Sequence, residues 1–93
     1  MNVRKIKPED IKAVHFTRSE VLGAEDDRRI RVVKLIKAVV LSNCEHQDVG
    51  IVIKLETGEV IETFCDMVDF ADDFVMIKGG ATIPLKAIVD VEF

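Results

Sequence analysis

The chain has 93 residues, 48% of them apolar and 32% charged, with five Gly, two Pro, two Cys, five Phe and neither Trp nor Tyr. That balance fits one compact globular domain and excludes disordered, collagen-like, coiled-coil and disulfide-scaffold classes. The formal charge of -4 divides unevenly: residues 1–43 hold ten Lys or Arg against six acids, residues 44–93 three Lys against eleven acids, so a front part at +4 precedes a body at -8.

Residues 1–24 read as an arm with short turns. Pro8 ahead of Glu9 and Asp10 is compatible with a helix start, Thr17-Arg18-Ser19-Glu20 has capping-box spacing, and Gly23 is placed to end a turn. From Glu25 to Asn43 the branched residues Ile30, Val32, Val33, Ile36, Val39 and Val40 favour strand by propensity, but strict alternation fails in both parities. At about 100° per residue Val32, Val33, Ile36, Val39 and Val40 gather on one side and Arg31, Lys34 and Lys37 on the other, which predicts an amphipathic helix with the cations outward. Glu25-Asp26-Asp27 suits its first turn, and Asn43 is the expected left-handed cap.

From Val49 the apolar period becomes two. Val49, Ile51, Ile53 and Leu55 share a face, Thr57-Gly58 turns the chain, and a second strand runs from Glu59 to about Met67. Ala71-Asp72-Asp73 reads as the next turn, Phe74 to Lys78 as a third strand, Gly79-Gly80 as a tight turn, and Ala81 to Ile83 as a fourth strand. Pro84 to Ala87 reads as one helical turn before a last strand, Ile88 to Phe93. The expected architecture is α+β and mainly β: a helix followed by a five-stranded small antiparallel barrel, with the arm at 1–24 and a helix-capped barrel domain at 25–93.

This layout resembles the Sm-like small barrels, a group that includes the WYL ligand-sensing domains and, more loosely, the Rho-binding antiterminator, which Cys44-Glu45-His46 and Gly58-Glu59 bring to mind with shifted spacing. Arg28-Arg29, Leu41-Ser42-Asn43, Ile53-Lys54-Leu55-Glu56-Thr57 and above all Lys78-Gly79-Gly80-Ala81-Thr82-Ile83-Pro84 are similar to a family of short bacterial proteins, over about residues 25–93. The resemblance implies an Sm-like barrel and carries no activity with it. The antiterminator likeness implies an acidic barrel seated on a basic surface of a protein partner.

Chemistry-bearing constellations are sparse. Cys44, His46, Cys65 and His15 include zinc-ligand types without the paired spacing of zinc motifs, and Asp66, Asp69, Asp72 and Asp73 depart from the calcium-loop register, reading instead as a solvated acidic edge. Gly79-Gly80 has no helix behind it whose amides would face a phosphate. No cofactor or metal is expected, and neither an acid/base pair nor an activated nucleophile assembles, which points away from an enzyme.

The remaining feature is basic. Arg28, Arg29, Arg31, Lys34 and Lys37 are the candidate binding residues for a protein partner or nucleic acid, with Arg31, Lys34 and Lys37 at steps of three along one helix face. Eight excess negative charges in the body, and five Phe expected mostly in the core, weigh against nucleic acid. The leading expectation is therefore a non-enzymatic interaction module, compatible with a regulatory role, that docks onto a protein partner; the alternative is an RNA- or DNA-binding regulator using the basic helix face. Ile30 and Leu41 lie off the expected buried face, which suggests a homodimer or higher homo-oligomer. A small ligand held between helix and barrel is a third reading without polar groups to identify it. No apolar stretch approaches the ~20 residues of a membrane span, the first residues lack a secretory apolar core, and two thiols without a disulfide framework fit the cytoplasm.

Overall fold

The computed structural model of the chain describes residues 3–71 and 73–93. Helix α1 spans Glu25–Glu45, with Glu25, Asp26 and Asp27 in its first turn, where carboxylates meet the positive end of the helix dipole. It ends at His46, which takes the left-handed conformation (φ 54°, ψ 34°) while its N–H donates to the Leu41 carbonyl. The cap therefore falls three residues beyond Asn43, which is still helical.

Among the described residues seven strands follow or flank this helix: β1 Arg4–Lys5, β2 Val49–Lys54, β3 Val60–Cys65, β4 Met67–Phe70, β5 Phe74–Ile77, β6 Thr82–Pro84 and β7 Ile88–Glu92. Gly58 (φ 92°) turns β2 into β3, and Gly79 and Gly80 (φ 106° and 87°) turn β5 towards β6. All three occupy backbone that residues with a Cβ rarely adopt. The turn expected over Ala71-Asp72-Asp73 includes Asp72, which lies outside the described residues.

The five-stranded barrel is not what forms. The strands make two open sheets, one of four strands in the order β1-β3-β2-β7 and one of three in the order β4-β5-β6. The first is mixed, because β1 runs parallel to β3, and the second is antiparallel. Two local features account for the separation. Asp66 interrupts the long second strand, so β3 pairs with β2 up to Cys65 while β4 pairs with β5. At the other end, β6 is three residues long and closes on Pro84, which has no N–H to extend a ladder. The short 3-10 helix Leu85–Ala87 then carries the chain across to β7, which pairs with β2 in the other sheet.

Leu35 and Ala38 of α1 enclose one core with Ile51, Ile53, Ile61, Val75, Ile77, Ile83 and Ile88 from both sheets. The helix lies against β4 and β7, one strand from each sheet. The first residues are built into this body. Ile11, on the 3-10 helix Pro8–Ala13, is fully buried, and Ile6, Val14 and Phe16 pack against the core. No helix among the described residues is long and apolar enough to cross a membrane.

Candidate interaction surface

The helix is rotated from the phase that its apolar residues predict. Its buried line is Arg31, Leu35, Ala38 and Ser42, at steps of four, three and four. Leu35 supplies the apolar anchor, while Ala38 and Ser42 are small enough to bring the helix backbone close to the sheets. Ser42 Oγ accepts from the Met67 N–H at 3.2 Å and donates to the Gln47 carbonyl at 3.1 Å, which ties the helix end to the start of β4.

Arg31, expected on the solvent face, is 4% exposed. Its guanidinium meets Glu20 with both nitrogens, Nη1 to Oε2 and Nη2 to Oε1, each at 2.7 Å, and Nη1 also donates to the Ile88 carbonyl at 3.0 Å. These hydrogen bonds hold the Glu20 carboxyl below its ordinary range. A bidentate arginine is among the few cationic groups whose burial geometry can compensate. Thr17-Arg18-Ser19-Glu20 thus caps no helix; its Glu anchors the first segment to α1.

The other basic candidates are also engaged within the chain. Arg28 Nη1 donates to the Leu22 and Gly23 carbonyls at 3.0 and 3.3 Å. Arg29 pairs with Glu25 one turn away at 2.9 Å, Lys34 pairs with Asp90 of β7 at 2.7 Å, and the Lys37 ammonium sits 5.0 Å from the centroid of the Phe93 ring. The structure therefore does not bring Arg31, Lys34 and Lys37 together as an outward cationic stripe.

What faces solvent instead is apolar. Ile30 is 52% exposed, Val33 66%, Ile36 52% and Val40 53%, with Phe93 at 48% beside them through its contact with Lys37. Four branched aliphatics on one outer helix face exceed the scattered singles that a folded surface ordinarily carries. Of the two residues expected off the buried face, Ile30 is exposed and Leu41 half-buried. The sequence signal for the true phase was present in Ala38 and Ser42, small residues that mark close approach. It was masked because the helix carries branched residues on both faces.

Two carboxyl pairs lie on the sheet side. Glu62 of β3 is 6% exposed, and its Oε2 has no hydrogen-bond donor. Burial pushes its pKa up, aided by the neighbouring Glu92 carboxyl and opposed by Lys5. Gly50 makes the room: a Cβ there would stand 3.0 Å from Glu62 Oε2 and 3.0 Å from the Phe64 ring. Asp48 is likewise raised, by burial and by Asp66 alongside, against the opposing charge of Lys78. It lines an open cleft of about 440 Å³ with Lys12, Phe64, Asp66 and Lys78.

The thiols do not join these groups into a reactive centre. Cys65 is buried in β3, and burial together with Asp48 and Asp66 pushes its pKa up to about 12, leaving it a protonated thiol at neutral pH. Cys44 is exposed on the last turn of α1. Among the described residues no three His, Cys, Asp or Glu side chains converge as a metal set. The phenylalanines depart from expectation too: Phe64, Phe74 and Phe93 are exposed, and Phe16 and Phe70 are half-buried against the core. Comparison with models of known protein families, with curated proteins and with solved structures found no match to this chain.

Proposed function

We propose that this protein is a non-enzymatic interaction module that docks onto a protein partner through the outer face of α1. The observation that carries the reading is the row Ile30, Val33, Ile36 and Val40, each more than half exposed on the longest element of the fold. Exposed apolar area of this kind is stabilised when a partner removes it from water, at roughly 25 cal/mol per Å². The rigid body beneath it is suited to presenting the row, because Leu35, Ala38, Arg31 and Ser42 fix the rotation of the helix from the opposite side. Cytoplasmic conditions suit the two free cysteines, which there remain thiols.

The test is capture by immobilised protein, comparing the native chain with Val33→Asp/Val40→Asp. Both positions are solvent-exposed in the single chain, so the variant keeps the native circular dichroism spectrum. A protein species, added free copies of this chain included, held by the native chain and released by the variant supports the reading. Equal retention by both, or retention by neither, overturns it.

A further inference from the structure

We infer that the occupant of the outer helix face is a second copy of this chain, packed with its α1 antiparallel across a two-fold axis; the inference rests on the docking role proposed for that face. The exposed residues Asp26, Ile30, Val33, Lys37, Val40 and Cys44 follow one another at steps of four, three, four, three and four. That alternation is the a/d seam of a two-helix packing, and all six positions lie on the side of α1 opposite Leu35 and Ala38.

The seam is nearly palindromic about Leu35, which is what a two-fold axis perpendicular to the helix requires. In the antiparallel arrangement Ile30 meets Val40 of the second copy, and Val33 meets Lys37. Lys37 suits that layer because its ammonium is already drawn aside to the Phe93 ring at 5.0 Å, leaving its methylenes for Val33. Ile36 flanks the seam next to the axis, where it meets its own counterpart. On the other flank two Lys34 side chains approach each other, and each is neutralised by Asp90 at 2.7 Å.

Charge decides the direction. A parallel pair would place Lys37 against Lys37 and Asp26 against Asp26 within single layers, with both acidic first turns, Glu25-Asp26-Asp27, at the same end. The antiparallel pair moves those turns apart by about 27 Å, the rise over the 18 residues from 26 to 44, which is well beyond a Debye length of about 8 Å. The footprint is about 27 Å by about 10 Å, which belongs to the small, reversible class of interface.

The experiment is sedimentation equilibrium on the native chain from about 1 µM to about 1 mM, the span in which an interface of this class dissociates. The expected mass rises from 10.4 kDa towards twice that value, and Val33→Asp holds it at 10.4 kDa throughout with an unchanged circular dichroism spectrum. Orientation is read from cysteines. In a Cys44→Ser background, an equimolar mixture of Ile30→Cys and Val40→Cys chains is expected to give a mixed 30–40 disulfide dimer on mild oxidation, whereas neither single variant alone gives one, as a parallel pair would. The native Cys44 thiols, at opposite ends of the seam, are expected to give none. A disulfide dimer through Cys44, or a mass of 10.4 kDa at every concentration, overturns the inference. If that monomer still captures another protein through Val33 and Val40, the docking role survives without the second copy; if it captures nothing, both fall.

Discussion

Arg31 shows how one side chain sets the orientation of a helix. A guanidinium is costly to bury, and here its two Nη groups donate two charge-assisted bonds to Glu20 and one to a carbonyl of β7, while its Nε has no partner. Removing one partner of such a pair leaves an uncompensated buried charge. Glu20→Ala is therefore expected to lower the unfolding free energy by about 3 kcal/mol in urea titration, while Glu20→Leu with Arg31→Met recovers most of the loss. Because the Glu20 carboxyl is held below its ordinary value, its contribution is present above about pH 4.5 and is lost as pH falls through the lowered folded value. Glu20→Gln should remove that part of the acid limb.

Glu62 carries the opposite sign. Burial and Glu92 raise its folded pKa, so its favourable contribution is present below the ordinary value and is lost as pH rises through the raised one. Lys5 opposes the shift from β1. Glu62→Gln, which keeps the shape and removes the titration, is expected to raise the melting temperature at pH 8 relative to the native chain and to flatten its dependence between pH 5 and 8. An unchanged slope in the variant would contradict the assignment.

At the scale of elements, the existence and type of most segments were legible in the sequence. The acidic first turn of α1, the change to a two-residue period at Val49, Thr57-Gly58, Gly79-Gly80 and the helical turn after Pro84 all fall where local chemistry puts them. The helix phase was not legible, because its decisive contact joins Arg31 to Glu20, eleven residues away in a segment that local pattern leaves as an arm. β1 was invisible for a related reason: two charged residues gain strand character only by lying parallel to β3. The phase is testable by stability. Leu35→Ala should cost roughly 2–5 kcal/mol and Val33→Ala no more than about 0.5 kcal/mol. The phase that apolar periodicity alone predicts, with Val33 inward, would make Val33→Ala a costly core deletion.

For the whole molecule, the missed feature was closure. Whether consecutive strands close into a barrel depends on pairings between distant segments, and no local period reports that the turn after Pro84 carries β7 to β2 in a sheet separate from that of β6. The two open sheets are instead held as one body by α1 on β4 and β7 and by Ile11, which reaches the shared core from the first segment. Ile11→Ala is accordingly expected to lower the midpoint of a single denaturation transition by the equivalent of roughly 2–5 kcal/mol. A separate early transition for the first segment would contradict a common core. Charge is distributed to match: Asp69 lies exposed in β4, an edge strand of the three-stranded sheet, where a carboxylate opposes pairing with another chain. Four of the exposed large hydrophobics, Ile30, Val33, Ile36 and Val40, lie on the outer face of α1.

Amide chemical shifts recorded on serial dilution of the native chain test most directly whether the outer face of α1 is an interface. Shifts that move with concentration at Ile30, Val33, Ile36, Lys37, Val40 and Phe93, while β2, β3 and β5 stay fixed, are the expected result. A spectrum that does not change on dilution, or changes centred on the sheets, would contradict it.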